Sequence, residues 1–209
     1  LVAARDADAL SAFGGIVGLN RALDAATARV LTATFIEAVV APAVDDDAKP
    51  ILAAKPNLRV LVMATEAFRR PGSARLARDV RSVLGGLLVQ ARDVVTEAGE
   101  PWPHDGVRVV SARVPSADEW TALRFAWRDC AHVKSNTVLF AEAGRTRAIG
   151  AGQMSHVDAV NVAVMKACGW QPGVARPLAG TVAASDAFFP FRDGLDAVAA
   201  AGATAVVHP

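Results

Sequence analysis

Short apolar runs of about four to six residues alternate along the chain with longer alanine-rich segments in which apolar residues recur at helical spacing. The runs at 35–42 and 137–141 are typical of buried strands, and 195–201 is typical of an amphipathic helix. Hydrophobic residues make up 53% of the 209, which is enough to bury a sizeable core. This alternation predicts an α/β fold.

Charge and cysteine content exclude several classes of protein. Lys plus Arg number 22 against 21 for Asp plus Glu, a balance that argues against a nucleic-acid binder. The sequence contains no uninterrupted apolar run of the roughly 18 residues that a membrane-spanning helix needs. Cys130 and Cys168 provide neither a disulfide framework nor a four-thiolate metal site. We therefore predict a soluble cytoplasmic protein that acts on small ligands or protein partners, with no nucleic acid and no membrane.

A charged, proline-containing connector at about 92–106 predicts a boundary between two lobes, 1–95 and 96–209. In the second lobe, Ser116 with Glu119 forms a capping-box pattern, and Ser155 with Asp158 forms a similar S-x-x-D pattern. A helix is predicted to follow each serine.

A glycine-rich turn precedes the second of these helices. Gly150 and Gly152 permit a positive φ or a close approach of the backbone to another group. The helix that starts at Ser155 would direct its free N–H groups at a ligand bound beside this turn. The segment is consistent with an anion site and equally with a tight strand-to-helix turn. Lys134-Ser135-Asn136 stands before the neighbouring strand.

An aromatic segment at 184–193 has two interpretations as well. Three aromatic residues surround a proline there, namely Phe188, Phe189 and Phe191. The first interpretation is a buried corner. The second is a rigid face on which a flat heterocycle stacks, with Asp193 accepting hydrogen bonds from the ring nitrogens of that heterocycle.

Glu37 lies between Ile36 and Ala38 in an apolar strand pattern, so we expect its carboxylate to be buried. A buried carboxylate needs a positive partner, which is either a ligand amine or, somewhat more often, an internal arginine.

Zinc is not predicted, because the four histidines and two cysteines show no H-x-x-x-H, H-x-E or C-x-x-C spacing.

Together these segments resemble the folate-dependent transformylase domain of the AICAR transformylase/IMP cyclohydrolase family. That family transfers a formyl group from 10-formyltetrahydrofolate to the amine of AICAR, giving FAICAR in purine (IMP) biosynthesis. The resemblance rests on the order and spacing of segments 11–17, 37–42, 55–61, 85–90, 125–128, 133–136, 149–155 and 185–193.

The resemblance implies two cytidine-deaminase-like lobes without zinc, and a homodimer with active sites at its interface. It gives Asn136 the role of orienting the reacting groups. A monovalent cation, K⁺, is implied near Asp186. The resemblance assigns AICAR to Phe13, Gly14, Glu37, Gln153, Ser155, His156 and Phe188, and the folate to Val157 and Asp193.

The sequence also departs from the family pattern. The Lys-His pair that supplies the general base, followed in the family by Asn-Pro-Cys-Gly, is expected upstream of Leu1, and a Gly-Gly-Ser segment with a distal Arg is expected beyond Pro209. His156 stands where the family has an arginine that holds the nucleotide phosphate. We therefore expect a piece of a longer protein that by itself lacks formyl transfer.

A catalytically silent nucleotide-binding or dimerisation module on the same scaffold is the alternative interpretation. A dinucleotide-binding oxidoreductase is disfavoured, because Gly150 and Gly152 lack the third glycine of G-x-G-x-x-G.

Overall fold

The computed structural model describes residues 1–64, 78–92, 94–169 and 177–209, which belong to two compact units. The first unit comprises Leu1–Arg5 and Ala9–Val94, and the second comprises Asp6–Asp8 and Val95–Pro209. Helices combine with both parallel and antiparallel strand pairs, so the predicted α/β class is confirmed. Residue 93 of the predicted connector lies outside the described residues. The assignment of 1–95 and 96–209 to lobes stays a prediction.

The first unit contains a parallel sheet of order β1-β2-β3, in which α3 connects β1 to β2 and α4 connects β2 to β3. Parallel neighbours need such crossovers, because a tight turn cannot bring the chain back to the same end of the sheet. An antiparallel hairpin, β4 with β5, follows. The elements from the start of the chain are α1 (Val2–Ala7), α2 (Ala9–Ala12), β1 (Gly15–Gly18), α3 (Ala25–Thr32), β2 (Ile36–Ala41), α4 (Lys49–Ala53), β3 (Arg59–Val62), β4 (Arg78–Val83) and β5 (Gly86–Ala91).

Local signals in the sequence explain where α3 lies. The Asp24 carboxylate caps it by accepting a hydrogen bond from the Thr27 backbone N–H at 2.7 Å, and this bond lowers the pKa of Asp24. Leu31 of the helix is buried together with Leu23 and Val39, which form the centre of the core of this unit.

The second unit is built on a sheet of order β7-β6-β8-β9, with β6 antiparallel to both of its neighbours and β8 parallel to β9. No helix in the described part of the chain is long and apolar enough to cross a membrane. The elements of this unit are a 3₁₀ turn (Glu97–Gly99), α5 (Ala117–Cys130), β6 (Val138–Glu142), β7 (Arg145–Gly150), α6 (His156–Ala167), β8 (Val182–Ser185), α7 (Arg192–Ala201) and β9 (Ala205–Val207).

Helices cover both faces of this sheet. Along β6, Val138 and Phe140 pack with residues of α6 and α7, whereas Leu139 and Ala141 pack with α5. Side chains alternate across a strand, so an apolar residue is needed at every position when both faces are buried. This explains why 138–141 is a continuous apolar run.

The N-terminus of α5 forms the predicted capping box. The Ser116 hydroxyl accepts from the Glu119 N–H at 3.2 Å, and the Glu119 carboxylate accepts from the Ser116 N–H at 2.7 Å. Arg113 binds both oxygens of the same carboxylate, at 2.7 and 3.0 Å. Hydrogen bonds from this guanidinium lower the pKa of Glu119 to about 2.

We predict that Glu119→Gln destabilises the chain by about 1 kcal/mol at pH 7, because the charged pair with Arg113 is lost, whereas the glutamine amide oxygen can still accept the Ser116 N–H of the capping box. The pKa of Glu119 is 4.5 in the unfolded chain and about 2 in the folded protein. Its carboxylate therefore stabilises the fold fully above pH 4.5, and this stabilisation is lost as the pH falls towards 2. Urea unfolding of both forms at several pH values should therefore show the difference shrinking over that interval.

Asp118→Asn removes a neighbouring carboxylate from the same first turn and serves as the matched control. It should cost no more than about 0.5 kcal/mol, the usual effect of an exposed charge on a helix dipole. A Glu119→Gln effect as small as that of the control, or constant with pH, would contradict the assignment.

Candidate functional site

The candidate site of the second unit begins at the N-terminal end of β6. Asn136 precedes this strand and pairs with Gln153 through two backbone hydrogen bonds, Asn136 N–H to Gln153 O at 3.3 Å and Gln153 N–H to Asn136 O at 3.2 Å. The Asn136 side-chain amide donates to the Met154 carbonyl at 3.1 Å. The loop before β6 and the loop after β7 therefore hold Asn136 from its backbone and from its side chain.

Two glycines give the loop after β7 its course. A Cβ on Gly150 would lie 1.7 Å from the carbonyl oxygen of Ala159 in α6, so the strand and the helix touch backbone to backbone there. Gly152 has a φ of +67°, a conformation that L side chains rarely adopt. Glycine is thus required at 150 for close packing and at 152 for backbone conformation, and the segment forms a tight strand-to-helix turn, while the anion site stays a prediction.

The N-terminus of α6 is capped by a serine of its own loop. Ser155 is the N-cap, and its hydroxyl accepts from the Asp158 N–H at 3.1 Å and donates to the Asp158 carboxylate at 2.7 Å. The negative charge of the Asp158 carboxylate in the first turn offsets part of the partial positive charge at the N-terminus of the helix. The capping prediction is therefore confirmed, while the attraction of this terminus for an anion is reduced.

His156, the first residue of α6, is turned into the protein. Its Nε2 is buried and lies 3.4 Å from Asp186 Oδ1, outside hydrogen-bonding geometry for any acceptor among the described residues. The ring meets Phe189 edge to face, with centroids 5.6 Å apart. Val157 follows it and is half-buried.

Asp186 connects the end of β8 to the start of β6. Its Oδ1 accepts the Thr137 N–H at 2.8 Å, and its own N–H donates to the Thr137 carbonyl at 3.4 Å. The Thr137 hydroxyl in turn donates to the Gly150 carbonyl at 2.7 Å. Sequence reasoning considered Asp186 only as a cation neighbour and missed this role. The pairing of β6 with β8 brings the two residues together, and no local pattern could have indicated it.

The aromatic segment forms the predicted buried corner only in part. Phe189 is half-buried against the core, whereas the Phe188 and Phe191 side chains are 62% and 74% exposed. Asp193 lies in the first turn of α7, is exposed, and accepts the Gly194 N–H at 2.8 Å. The segment thus has one anchoring ring and two rings that face solvent.

The candidate residues of the first unit lie at the start of the parallel sheet. Gly14 adopts a φ of +73°, and its N–H donates to the Phe35 carbonyl at 2.9 Å. The Phe13 side chain is 72% exposed and contacts the Phe35 ring, with centroids 5.2 Å apart.

The expectation that Glu37 is buried is wrong. Its side chain is 52% exposed, and its carboxylate lies 3.0 Å from the Arg59 guanidinium. The partner is an arginine, as one of the two alternatives had it, but the pair lies at the surface. Alternation along β2 directs Ile36 and Ala38 inward and Glu37 to the opposite face, where the neighbouring strand β3 supplies the guanidinium.

A profile of the AICARFT/IMPCHase bienzyme family matches residues 1–166. The chain belongs to this family. It is 50% identical to the bifunctional purine biosynthesis protein PurH of Jannaschia sp. (strain CCS1), and 48% and 45% identical to the proteins of that name from Myxococcus xanthus (strain DK1622) and Magnetococcus marinus. Each of these matches covers 99% of the chain and 38% of the relative. The chain therefore spans less than two fifths of the length of these relatives.

Membership of the AICARFT/IMPCHase bienzyme family confirms the resemblance drawn from the motifs. The roles of the individual residues stay predictions, as does the cation near Asp186. Within the described ranges, no group of three or more His, Cys, Asp and Glu side chains is placed to hold a metal ion. Burial raises the pKa of the Cys130 thiol to about 12, which leaves it protonated and unreactive at neutral pH.

We predict that Gly150→Ala destabilises the chain by at least about 3 kcal/mol, because the added methyl group would collide with the Ala159 backbone rather than with a flexible side chain. Gly99→Ala is the matched control, since a Cβ there meets nothing within 4 Å and the residue is not at positive φ. The control should stay within about 0.5 kcal/mol of the parent in urea unfolding. Equal stabilities for the two variants would contradict the backbone contact between β7 and α6.

Proposed function

We propose that this chain is part of the transformylase domain of a bifunctional purine biosynthesis enzyme, and that it binds AICAR and 10-formyltetrahydrofolate for formyl transfer. Membership of the AICARFT/IMPCHase bienzyme family supports the reaction class. The fixed position of Asn136 beside the N-terminus of α6 is the observation that carries the residue-level proposal.

The chemistry sets what the site must supply. The amine of AICAR attacks the formyl carbon on N10 of the folate, and a tetrahedral intermediate with a negatively charged oxygen forms. The amine then loses a proton to a base, the bond from carbon to N10 breaks, and N10 takes up a proton to give tetrahydrofolate. Because the amine lone pair is delocalised into the ring, this reaction depends on a positioned base and on close juxtaposition of both substrates. We assign the base to the Lys-His pair that the family pattern places outside these 209 residues.

Asn136 is proposed to orient the reacting amine. Its Nδ2 is engaged by the Met154 carbonyl, while its Oδ1 meets only the Ser135 hydroxyl, at 3.4 Å, among the described residues. A carbonyl oxygen has two lone pairs, so Oδ1 keeps capacity to accept a hydrogen bond from the AICAR amine. Its half-buried position limits competition from water.

The other proposed roles follow the exposure of each side chain. The solvent-facing ring of Phe188 is available to pack on the imidazole carboxamide. Asp193, which uses one oxygen on the Gly194 N–H, has acceptor capacity for the pterin, and Val157 lies at the start of α6 as its apolar contact. The further AICAR contacts are assigned to Phe13, Gly14, Glu37, Gln153 and Ser155.

The proposal extends to the assembly and the fold. We assign residues 1–95 and 96–209 to two cytidine-deaminase-like lobes without zinc, in a cytoplasmic homodimer whose active sites lie at the interface. The mixed sheet of the second unit, with helices on both faces, is compatible with such a lobe. A K⁺ ion near Asp186 is retained as a proposal, because the carboxylate there is largely shielded from solvent.

We predict that the full-length protein that contains these residues forms tetrahydrofolate from AICAR and 10-formyltetrahydrofolate, and that Asn136→Ala lowers kcat about 10²-fold, the usual cost of removing one preorganised polar group. Asn161→Ala, on an exposed position of α6, is the matched control and should keep parental kcat. Equal kcat for Asn136→Ala and the parent would remove Asn136 from the site, and a parent without turnover would contradict the proposed reaction.

A second prediction concerns the metal-free lobes. Elemental analysis of chelator-free full-length protein should find zinc far below one atom per chain, since Cys130 is buried and protonated and belongs to no C-x-x-C pair. Stoichiometric zinc that is lost on substitution of Cys130 or Cys168 would overturn the metal-free assignment.

A further inference from the structure

We propose that His156 is a positioning residue, which acts through Asp186 on the end of β6 that carries Asn136. The inference rests on the proposed function, since Asn136 is there the group that meets the substrate. It gives His156 a role different from the phosphate contact that the family pattern implies at this position.

The first observation is the surroundings of the Asp186 carboxylate. Its side chain is only 16% exposed, and Oδ1 accepts the Thr137 N–H at 2.8 Å. A largely buried carboxylate requires hydrogen-bond donors or a positive partner. The imidazole of His156, itself 13% exposed, lies beside the same oxygen.

The second observation is the orphan nitrogen of His156. Nε2 is buried, has no hydrogen-bond partner among the described residues, and lies 3.4 Å from Asp186 Oδ1. A buried N–H without an acceptor is costly, and the terminal torsion of histidine is soft enough for a small rotation to align the N–H with the carboxylate. The ring also contacts Phe189 edge to face, with centroids 5.6 Å apart.

The link to the site passes through one peptide unit. Asp186 holds Thr137 by both its N–H and its carbonyl, and Thr137 directly follows Asn136. Asn136 is fixed on its other side by Gln153. If Asp186 moves, one of the two supports of Asn136 moves with it, so a donor that fixes Asp186 also fixes Asn136.

The same geometry argues against a phosphate ligand. A nitrogen that binds phosphate must reach the ligand, whereas Nε2 of His156 is buried and faces a carboxylate. Asp158 in the same first turn, together with Asp186, adds negative charge at this end of α6. An anion would be repelled here unless other cations offset these charges.

The kinetic test compares His156→Leu and His156→Gln in the full-length protein. Removing the donor should lower kcat for AICAR formylation about tenfold and leave KM for AICAR within about twofold, the pattern of a lost positioning contact. The glutamine variant should recover most of kcat, because its amide N–H can reach Asp186 as Nε2–H does. His132→Leu removes an exposed imidazole that follows the end of α5 and should match the parent.

The opposite pattern would overturn the inference. A phosphate ligand predicts a raised KM for AICAR with unchanged kcat in both His156 variants, and no rescue by glutamine. Equal losses for leucine and glutamine, with both proteins folded, would also exclude the donor role.

A readout independent of activity separates this inference from the proposed function. Solid-state NMR of full-length protein labelled at the histidine nitrogens should show His156 as the Nε2–H tautomer, with a signal that shifts in Asp186→Asn and is absent in His156→Gln. An unprotonated Nε2, as in a cation ligand, would refute the pairing. A parent protein without formyl transfer would contradict the proposed function alone, and the tautomer would still decide the pairing.

Discussion

The close approach of β7 to α6 is the constraint on which the candidate site of the second unit depends. Gly150 lies where any Cβ would collide with the Ala159 carbonyl, so the strand meets the helix without an intervening side chain. The chain must then turn within a few residues, and Gly152 supplies the left-handed conformation for that turn. The loop that results places Gln153 beside Asn136 and begins α6 at Ser155.

Much of the second unit could be predicted from its sequence, because its signals are local. The capping patterns at Ser116 and Ser155 predicted the starts of α5 and α6, since each needs only a side chain and a backbone N–H three residues later. The run at 137–141 predicted the strand that the structure places at Val138–Glu142, and the family motifs predicted membership of the AICARFT/IMPCHase bienzyme family.

Other features depend on which strands become neighbours, and the linear pattern does not contain that information. Glu37 looks buried between apolar residues, yet strand alternation exposes it, and its partner Arg59 is 22 residues away on β3. Asp186 reaches Thr137 across 49 residues because β8 lies next to β6. Long-range pairs of this kind, one at the surface of the first unit and one at the strand ends of the second, could not be derived from spacing.

The acidic surroundings of α6 change how its N-terminus should be understood. A free helix end attracts anions through exposed N–H groups and a partial positive charge. Here the Ser155 hydroxyl accepts one of those N–H groups, that of Asp158, and the Asp158 carboxylate adds negative charge to the first turn. Asp186 lies beside His156, the first helical residue. The capped helix end therefore helps to fix the loop beside Asn136, and the two carboxylates weaken its attraction for an anion.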